Sequence, residues 1–311
     1  MPFAIGGNAR IRTNTPAENA YNALDESNRS ISLRQLRLST GKRINNAGDD
    51  VAGYITSRSL FARNSALKSA LLAVGDASNL TNILMDSLSN INDLLIKIKD
   101  STSQAASGAM GTDERVALSK AAYRMAQQIQ TVADSTVFGG QQLLDGHYYA
   151  DFFIGTNAVH NLLTLTIDMT TDNPDYNVKS LDFNVNAMMI NHFAGITGLD
   201  MHAFDNVSAT DLGIFNPLVL GTTLQSISNA IDNVNKVASY LGGISNRLTS
   251  QEDLLKGQIV NYNAAISRIE DADIAKEQLE LVKSQFLQQA SLVSLAQANA
   301  NPQSFLRLIS G

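Results

Sequence analysis

Apolar residues recur at every third or fourth position over two long stretches of the chain, one toward each end. From residue 17 to about residue 134, Gly, Pro and β-branched residues are sparse, and the spacing predicts α-helices separated by turns. After the turn at NNAGDD, two series of residues that are mostly small or apolar step by seven, which predicts a coiled-coil seam on a helix from Asp49 to Ala106. The two series are Ala70, Ala77, Leu84, Ile91, Ile98 and Ala105, and Val74, Thr81, Leu88, Leu95 and Thr102.

The segment SGAMGTDER interrupts this pattern, and Thr112 is the predicted N-cap of a shorter helix that ends near Asp134. The C-terminal flank carries a further seven-residue series, which crosses the pair Gly242-Gly243. The alternative is a helix–helix turn at this pair. Because the series keeps its phase, we favour one helix, weakened by ~1 kcal/mol per Gly relative to Ala. The series consists of Ile227, Val234, Leu241, Leu248, Leu255, Tyr262 and Ile269.

The middle of the chain, about residues 136–222, differs from both flanks. The segments YYADFFIG and LLTLTIDM are rich in aromatic and branched residues and predict a β-hairpin, followed by a small irregular or mixed insert. Neither helical flank can bury its apolar stripe alone, so we expect the two to pack on each other. The predicted fold is therefore mainly α: an elongated helical bundle or coiled coil of the two flanks, with the hairpin and insert between them.

Composition narrows the possible functions. The formal charge of the 311 residues is −6, which argues against a dedicated nucleic-acid-binding protein. The absence of Cys excludes disulfides, thiol catalysis and cysteine-ligated zinc. No apolar stretch is long enough to span a membrane, and the N-terminus does not resemble a signal peptide. We therefore expect no membrane insertion, and either an internal location or export without a cleaved signal.

Candidate catalytic chemistry is sparse. The four His residues show no metal-ligand spacing, and phosphate-loop and dinucleotide motifs are absent. We predict no catalytic residues, no cofactor and no metal. The pair Asp49-Asp50 suits a helix N-terminus better than a cation site. Glu270, Asp271 and Asp273 are interpreted as a helix junction rather than as acid/base machinery.

Two further segments suggest helix interfaces. Basic residues near the N-terminus alternate with aliphatic ones, which favours a helix interface over nucleic acid; they are Arg29, Arg34, Arg37, Lys42 and Arg43. Near the other end, the 23 residues from Ser284 to Leu306 carry no charge, although charged residues make up 17% of the chain. This neutral segment is amphipathic and rich in Gln, Asn, Ala and Ser.

Several motifs resemble those of bacterial flagellins. LRLSTGKRINNAGDDVAGYITSRSL is similar to the N-terminal signature of that family, and TVFGGQQLLDG resembles the turn before its β-hairpin. SRIEDADIAKE and QASLVSLAQANANPQSFLRLI resemble its C-terminal signature. The resemblance covers roughly residues 11–168 and 224–310.

The resemblance implies a structural subunit that polymerises into the flagellar filament, gives motility, is exported unfolded and folds on assembly at the tip. It implies an inner coiled-coil layer, a bundle layer and a variable outer insert. We assign residues 1–47 and 271–311 to the first, 48–168 and 223–270 to the second, and 169–222 to the third. Subunit packing in the inner layer is assigned to Leu24, Ile31, Leu38, Leu279, Val282, Phe286, Val293 and Ala296, with the α-helix stripe from Leu279 to Ala296 facing the helix of Leu24. The bundle core is assigned to Leu84, Leu88, Ile91, Leu95, Ile98, Val234, Leu241, Leu248, Leu255, Tyr262 and Ile269.

The implied partners are other copies of the chain, alone or with other flagellins, the export apparatus, a flagellin chaperone, the filament cap and the hook–filament junction proteins. The implied location is the extracellular flagellum. A hook–filament junction protein of the same appendage is the alternative, since LSTGKR-like motifs occur there too. An enzyme displayed in the insert and a cytosolic coiled-coil scaffold are weaker alternatives.

Two features depart from the family pattern. About ten residues precede the usual start of the family, and they have no assigned role. In addition, many flagellins carry an R-x-R-E-L segment that the innate immune receptor for flagellin binds. Here Lys97 and Lys99 replace Arg, Asp100 replaces Glu, and Ser101 replaces Leu. Lys cannot make the bidentate contacts of Arg, and Ser101 removes an apolar anchor, so the sequence predicts weak or absent receptor activation.

Overall fold

The computed structural model describes residues 13–156, 162–170, 173, 175, 183, 185, 193–196, 200–216 and 218–310. The prediction of a mainly α fold is confirmed, because long helices fill both flanks of the chain. Those within the described ranges are α1 (Thr15–Thr40), α2 (Val51–Ala105), α3 (Thr112–Ser135), α4 (Leu220–Glu270) and α5 (Ile274–Ser310). The described strands are β1 (Val137–Phe138), β2 (Gln141–Gln142), β3 (Tyr149–Thr156) and β4 (Leu162–Asp168).

The chain forms two compact units, Met1–Asn64 with Val260–Gly311, and Ser65–Ile259. Their boundaries fall inside α2 and α4. The sequence predicts layers with limits at 47/48 and 270/271, and these limits remain a prediction. A layer is defined by the packing of many subunits in an assembly, whereas the two compact units are defined within one chain.

The core of the second unit consists of the two residue series of α2 together with α4. Every residue of both α2 series is buried, Thr81 and Thr102 included. The two Thr hydroxyls donate to carbonyl oxygens one turn earlier, at Ala77 and Ile98, so their burial leaves no donor unsatisfied. Helix α2 contacts α4 through the amide of Asn92, which donates to Asn235 over 3.3 Å.

Helix α4 is continuous across Gly242 and Gly243, so the prediction of a single helix is confirmed. Neighbouring Leu241 and Ile244 are buried, and these contacts hold the helix together where its intrinsic propensity is lowest. A Cβ built on either glycine would meet nothing within 4 Å.

Helix α3 begins one residue earlier than the sequence predicted. The N-cap is Gly111, not Thr112, which is the first helical residue. The Glu114 carboxylate accepts the backbone N–H of Gly111 at 3.1 Å, so the third helical residue caps the helix in place of a Thr side chain. At its other end, the Thr136 hydroxyl lies 2.9 Å from that of Ser87 on α2.

The predicted β-hairpin is confirmed as the antiparallel pair β3–β4, with a register irregularity between Phe153 and Gly155. It packs on α4 through two hydrogen bonds. The Gln251 amide donates to the Ile154 carbonyl at 2.9 Å, and the Asp168 N–H donates to the Tyr240 hydroxyl at 3.3 Å. Strands β1 and β2 form a second, shorter pair joined by Gly139 and Gly140, both with positive φ.

Part of the insert after β4 lies outside the described residues. The described part contains 3₁₀ turns at Met201–Phe204 and Gly213–Phe215. The Phe204 and Phe215 rings meet edge to face at 5.8 Å. The Ser119 hydroxyl of α3 donates to the Phe204 carbonyl, and the Tyr123 ring lies 5.4 Å from that of His202. These contacts fasten this part of the insert to α3.

Candidate functional site

Helices α1 and α5 pack against each other in the first unit, and they run antiparallel. At one end the Asn14 amide donates to the Ala298 carbonyl at 2.9 Å. Further along, the hydroxyls of Ser30 and Ser284 lie 3.0 Å apart. The N-terminal and C-terminal helical segments, which lie at opposite ends of the chain, therefore form one helix pair.

Local capping sets where these helices begin and end. Asn14 is the N-cap of α1, accepting the Ala17 N–H at 3.3 Å, and Pro16 lies in the first turn, where its missing N–H costs nothing. The helix ends at Gly41, whose φ of 69° suits glycine. Helix α5 follows Asp273, whose carboxylate accepts the Lys276 N–H at 3.1 Å.

The connection between α1 and α2 contacts the connection between α4 and α5. The Ala272 N–H donates to the Gly41 carbonyl at 2.9 Å, and the Arg43 N–H donates to the Glu270 carbonyl at 2.6 Å. The Arg43 guanidinium adds a hydrogen bond of 2.7 Å to the Ile269 carbonyl. The interpretation of the acidic residues around Glu270 as a helix junction is thus confirmed.

Asp50 binds a backbone N–H at the start of α2, as the sequence predicted for a helix N-terminus, whereas Asp49 stabilises the turn before the helix. Asp49 accepts the backbone N–H groups of Asn46 and Asn45, and these hydrogen bonds hold its pKa below the usual value. Asp50 accepts the Gly53 N–H at 2.9 Å. A Cβ on Gly53 would stand 2.5 Å from the Asp50 carboxylate and 2.6 Å from the Ile44 side chain, so a larger residue there would require both side chains to move.

A buried carboxylate joins α5 to α1. Glu277, with only 8% of its side chain exposed, accepts hydrogen bonds from the guanidinium groups of Arg34 at 2.7 Å and Arg37 at 3.3 Å. We call these three residues the charge trio. Burial is the largest single influence on the Glu277 pKa and raises it, but the hydrogen bonds and charges of the two Arg outweigh burial and lower that pKa overall.

A second ion pair lies beside the junction, where Lys42 binds Glu270 at 2.9 Å. This hydrogen bond is the main reason that the Glu270 pKa is lowered. Of the five basic residues that the sequence assigned to a helix interface, Arg34, Arg37, Lys42 and Arg43 thus bind groups at the start of α5 or the end of α4. That assignment is confirmed for these four.

The face that α5 presents to α1 is not the predicted one. Seven of its more buried residues, which we call the seam, are spaced as one helical face; they are Glu277, Leu281, Ser284, Gln288, Ser291, Leu295 and Ala298. Predicted contact residues Leu279, Val282, Phe286 and Val293 are instead 66%, 41%, 67% and 70% exposed. We call these four the outer stripe. At 3.6 residues per turn they lie about half a turn from the seam, so the expectation that they face α1 is wrong.

The other assigned residues are placed as follows. On α1, Leu24, Ile31 and Leu38 are half-buried, and on α5 Ala296 is exposed. Within the bundle core, most assigned side chains are fully buried; they are Leu84, Leu88, Ile91, Leu95, Ile98, Val234, Leu241, Leu248 and Leu255. Tyr262 and Ile269, in the first unit, are half-buried.

The receptor-like segment lies in the last turns of α2. Lys97 and Asp100 are exposed, and Lys99 and Ser101 are half-buried. The Ser101 hydroxyl donates to the Lys97 carbonyl at 2.9 Å, so this side chain satisfies its own helix rather than projecting an apolar group.

Neither a metal site nor a membrane span emerges from the described ranges. No group of three or more His, Cys, Asp or Glu side chains is close enough there to hold a metal ion. None of the helices, over the residues that the structure describes, is both long and apolar enough to cross a membrane.

Comparison with known proteins gives the same family at both ends of the chain. Residues 11–148 match the family profile of the bacterial flagellin N-terminal helical region, and residues 224–309 match that of the C-terminal helical region. A flagellin of Bacillus subtilis strain 168 is 31% identical over 317 residues, covering 96% of this chain and 99% of the relative. The flagellar filament 33 kDa core protein of Treponema phagedenis is 26% identical over 303 residues, with the same coverage.

One solved structure, that of a putative flagellar hook-associated protein from Vibrio parahaemolyticus, is similar with a TM-score of 0.56. The match covers 72% of this chain and 100% of that one, at 13% sequence identity. At this identity the likeness concerns the fold alone, and it gives no support to a hook–filament junction function.

Proposed function

This chain belongs to the bacterial flagellins, a family of structural proteins, and is a subunit of the flagellar filament; from that premise we propose that α1 and α5 form its inner layer and become ordered only on assembly. The observation that carries this proposal is the outer stripe. Four large apolar side chains stand exposed along a helix that is already paired. Neighbouring subunits are the surface that would cover them.

The α1–α5 pair offers little stability by itself. Its buried apolar side chains are few and often small, such as Ala20 and Ala298, and Ser27 and Ser284 occupy other buried positions. Burial of so little apolar surface does not offset the conformational entropy lost when two helices become ordered. The pair should therefore fold as it docks against other subunits, in the manner of coupled folding and binding.

Assembly of this kind extends without limit. A stripe on α5 that meets a different patch on the next copy makes a heterologous contact, and such contacts generate an open helical filament unless the rotation closes. Residues 48–168 and 223–270 would form the surrounding bundle layer, and residues 169–222 the outer insert.

The neutral segment from Ser284 to Leu306 suits a position along a channel through which unfolded chains travel. Fixed charges on such a wall would bind oppositely charged side chains of the passing chain. Gln289 and Gln297 are exposed and border the outer stripe on the helical projection; where neighbouring subunits leave them uncovered, they would hydrate the wall without holding that cargo. Export through the flagellar apparatus, with a chaperone and a filament cap as partners and a location outside the cell, completes this proposal and rests on the family alone.

Limited proteolysis tests the central step. Trypsin and chymotrypsin should trim the free subunit at both ends, to fragments that begin near residue 48 and end near residue 270, as read by mass spectrometry. The same subunits in filaments should resist under identical conditions. Free subunits whose two termini resist as well as those in filaments would overturn the proposal.

A second proposal concerns the segment Lys97–Ser101. We propose that this flagellin activates the innate immune receptor for flagellin weakly, because Lys97 and Lys99 lack the planar guanidinium of Arg and Ser101 offers no apolar anchor. Reporter cells that express the receptor should respond more strongly to the combined variant K97R/K99R/D100E/S101L than to the natural chain. Strong signalling by the natural chain at ordinary flagellin doses would contradict this proposal.

A further inference from the structure

Helix α5 places its less apolar face against α1. The seam buries one carboxylate, several polar side chains and only a few apolar ones, whereas the outer stripe carries Phe286, two Val and one Leu. If apolar burial alone chose the facing, α5 would turn about half a revolution about its axis and bury the outer stripe on α1. Some other interaction therefore decides which side of α5 faces its partner.

The charge trio distinguishes two orientations of α5: the observed facing, with the seam on α1, and the turned facing, with the outer stripe on α1. In the observed one, the Glu277 carboxylate reaches both guanidinium groups, at 2.7 and 3.3 Å, and its side chain is almost completely buried. Half a revolution would carry Glu277 to the far side of α5. Arg34 and Arg37, which are 23% and 16% exposed, would then lie against the outer stripe without their carboxylate. Leaving a buried charge without its partner is strongly unfavourable.

A lysine adds a penalty to the alternative facing. Lys283, one residue before Ser284, lies nearer to the outer stripe than to the seam on the helical projection. Turning α5 would bring its ammonium group toward Arg34 and Arg37. Like charges at short range oppose such an approach.

We propose that Glu277 is a positioning residue for filament assembly: by binding Arg34 and Arg37, it fixes the rotation of α5 about its own axis and keeps the outer stripe available to neighbouring subunits. This inference rests on the proposed function, because it presupposes that the stripe is used between subunits. The junction at Gly41 and Ala272 sets how far α5 is advanced along α1. The charge trio sets which face of α5 meets α1.

Cysteine cross-linking reads this facing directly, because the natural chain contains no Cys. The pair S30C/S284C reports the observed facing, since those hydroxyls are 3.0 Å apart. The pair S30C/V282C reports the turned facing, because Val282 lies two residues from Ser284 and thus on the opposite side of α5. Cys at position 282 remains a small apolar side chain, so the stripe is little altered. Filaments are oxidised, and intrachain links are quantified by peptide mass spectrometry.

In the natural background we expect the link to position 284 and little link to position 282. With E277Q, the ratio of the 282 link to the 284 link should rise about tenfold or more, and fewer subunits should enter filaments. The matched control is E280Q, which removes a carboxylate one turn away that pairs with Lys283 on the same helix rather than with α1. E280Q should leave the ratio unchanged, and the conservative variant E277D should restore it.

The possible results separate clearly. E277Q filaments that keep only the 284 link would overturn the role of Glu277 and leave the proposed function standing. If E277Q subunits stay out of filaments, E277D decides: recovery of assembly with the 284 link supports the inference, and failure to recover overturns it. Natural-background filaments with neither link would instead refute the α1–α5 pair in the filament, and with it the proposed function.

Discussion

Truncation of Phe286 to Ala should raise the critical concentration for filament growth. Full burial of a Phe side chain is worth about 1.5–3 kcal/mol, and 67% of Phe286 is still exposed in the single chain, which leaves about 1–2 kcal/mol to be gained between subunits. Since 1.4 kcal/mol corresponds to a factor of ten, the critical concentration should rise about 5- to 30-fold.

The assay is seeded growth followed by sedimentation, with the subunit remaining in the supernatant measured at steady state. Leu218→Ala is the matched control, because Leu218 is 90% exposed but lies in the predicted outer insert. This control should grow at the natural critical concentration. If F286A also did so, the outer stripe would not be a contact between subunits, and the reasoning from exposure to assembly would be refuted.

Three further predictions follow from other parts of the chain. Because the pKa of Glu277 is lowered in the folded pair, the stabilisation from its carboxylate is complete above the usual pKa of 4.5 and is lost as the pH falls through the lowered pKa. Filaments should therefore dissociate in acid. In light-scattering titrations, the stability of E277Q filaments should depend less steeply on pH. The double variant Q289E/Q297E should slow filament elongation, measured by time-resolved fluorescence microscopy, because new carboxylates on the proposed channel wall would bind passing cationic side chains. Elongation at the natural rate would count against the proposed channel wall. Leu88→Ala should destabilise the subunit by about 2–5 kcal/mol in thermal or urea unfolding, whereas Leu72→Ala, at a site 73% exposed on the same helix, should change stability by less than ~0.5 kcal/mol.

The helical flanks could be predicted from the sequence because burial repeats with the period of the helix. The two α2 series are buried at every position. The α4 series keeps its phase across a Gly pair, where helix propensity alone would have predicted a break in the helix. Capping was predicted less well. Thr112 has the typical side chain of an N-cap, but Glu114 reaches back to the Gly111 N–H and moves the start of α3 by one residue.

The facing of α5 could not be predicted from local pattern. Counting apolar residues favours the outer stripe as the contact with α1, and that criterion is usually sufficient for a helix packed on one side. Here α5 carries apolar side chains on two sides, and the choice between them depends on Glu277 and Arg34, which are 243 residues apart in the chain. The sequence contained the signal only as a group of arginines and an acidic residue whose pairing becomes visible in the fold.

Gly242 and Gly243 are adjacent, so they weaken the intrinsic stiffness of α4 more than its single interior glycine at position 257 does. With open space where a Cβ would stand, alanine would fit at both positions, so the glycines are not required by crowding. Each adds ~1 kcal/mol of backbone freedom relative to Ala, which lowers the local resistance to curvature. A torque-bearing fibre that carries load along this helix would therefore bend first at these two residues, and the flanking stretches would remain straight.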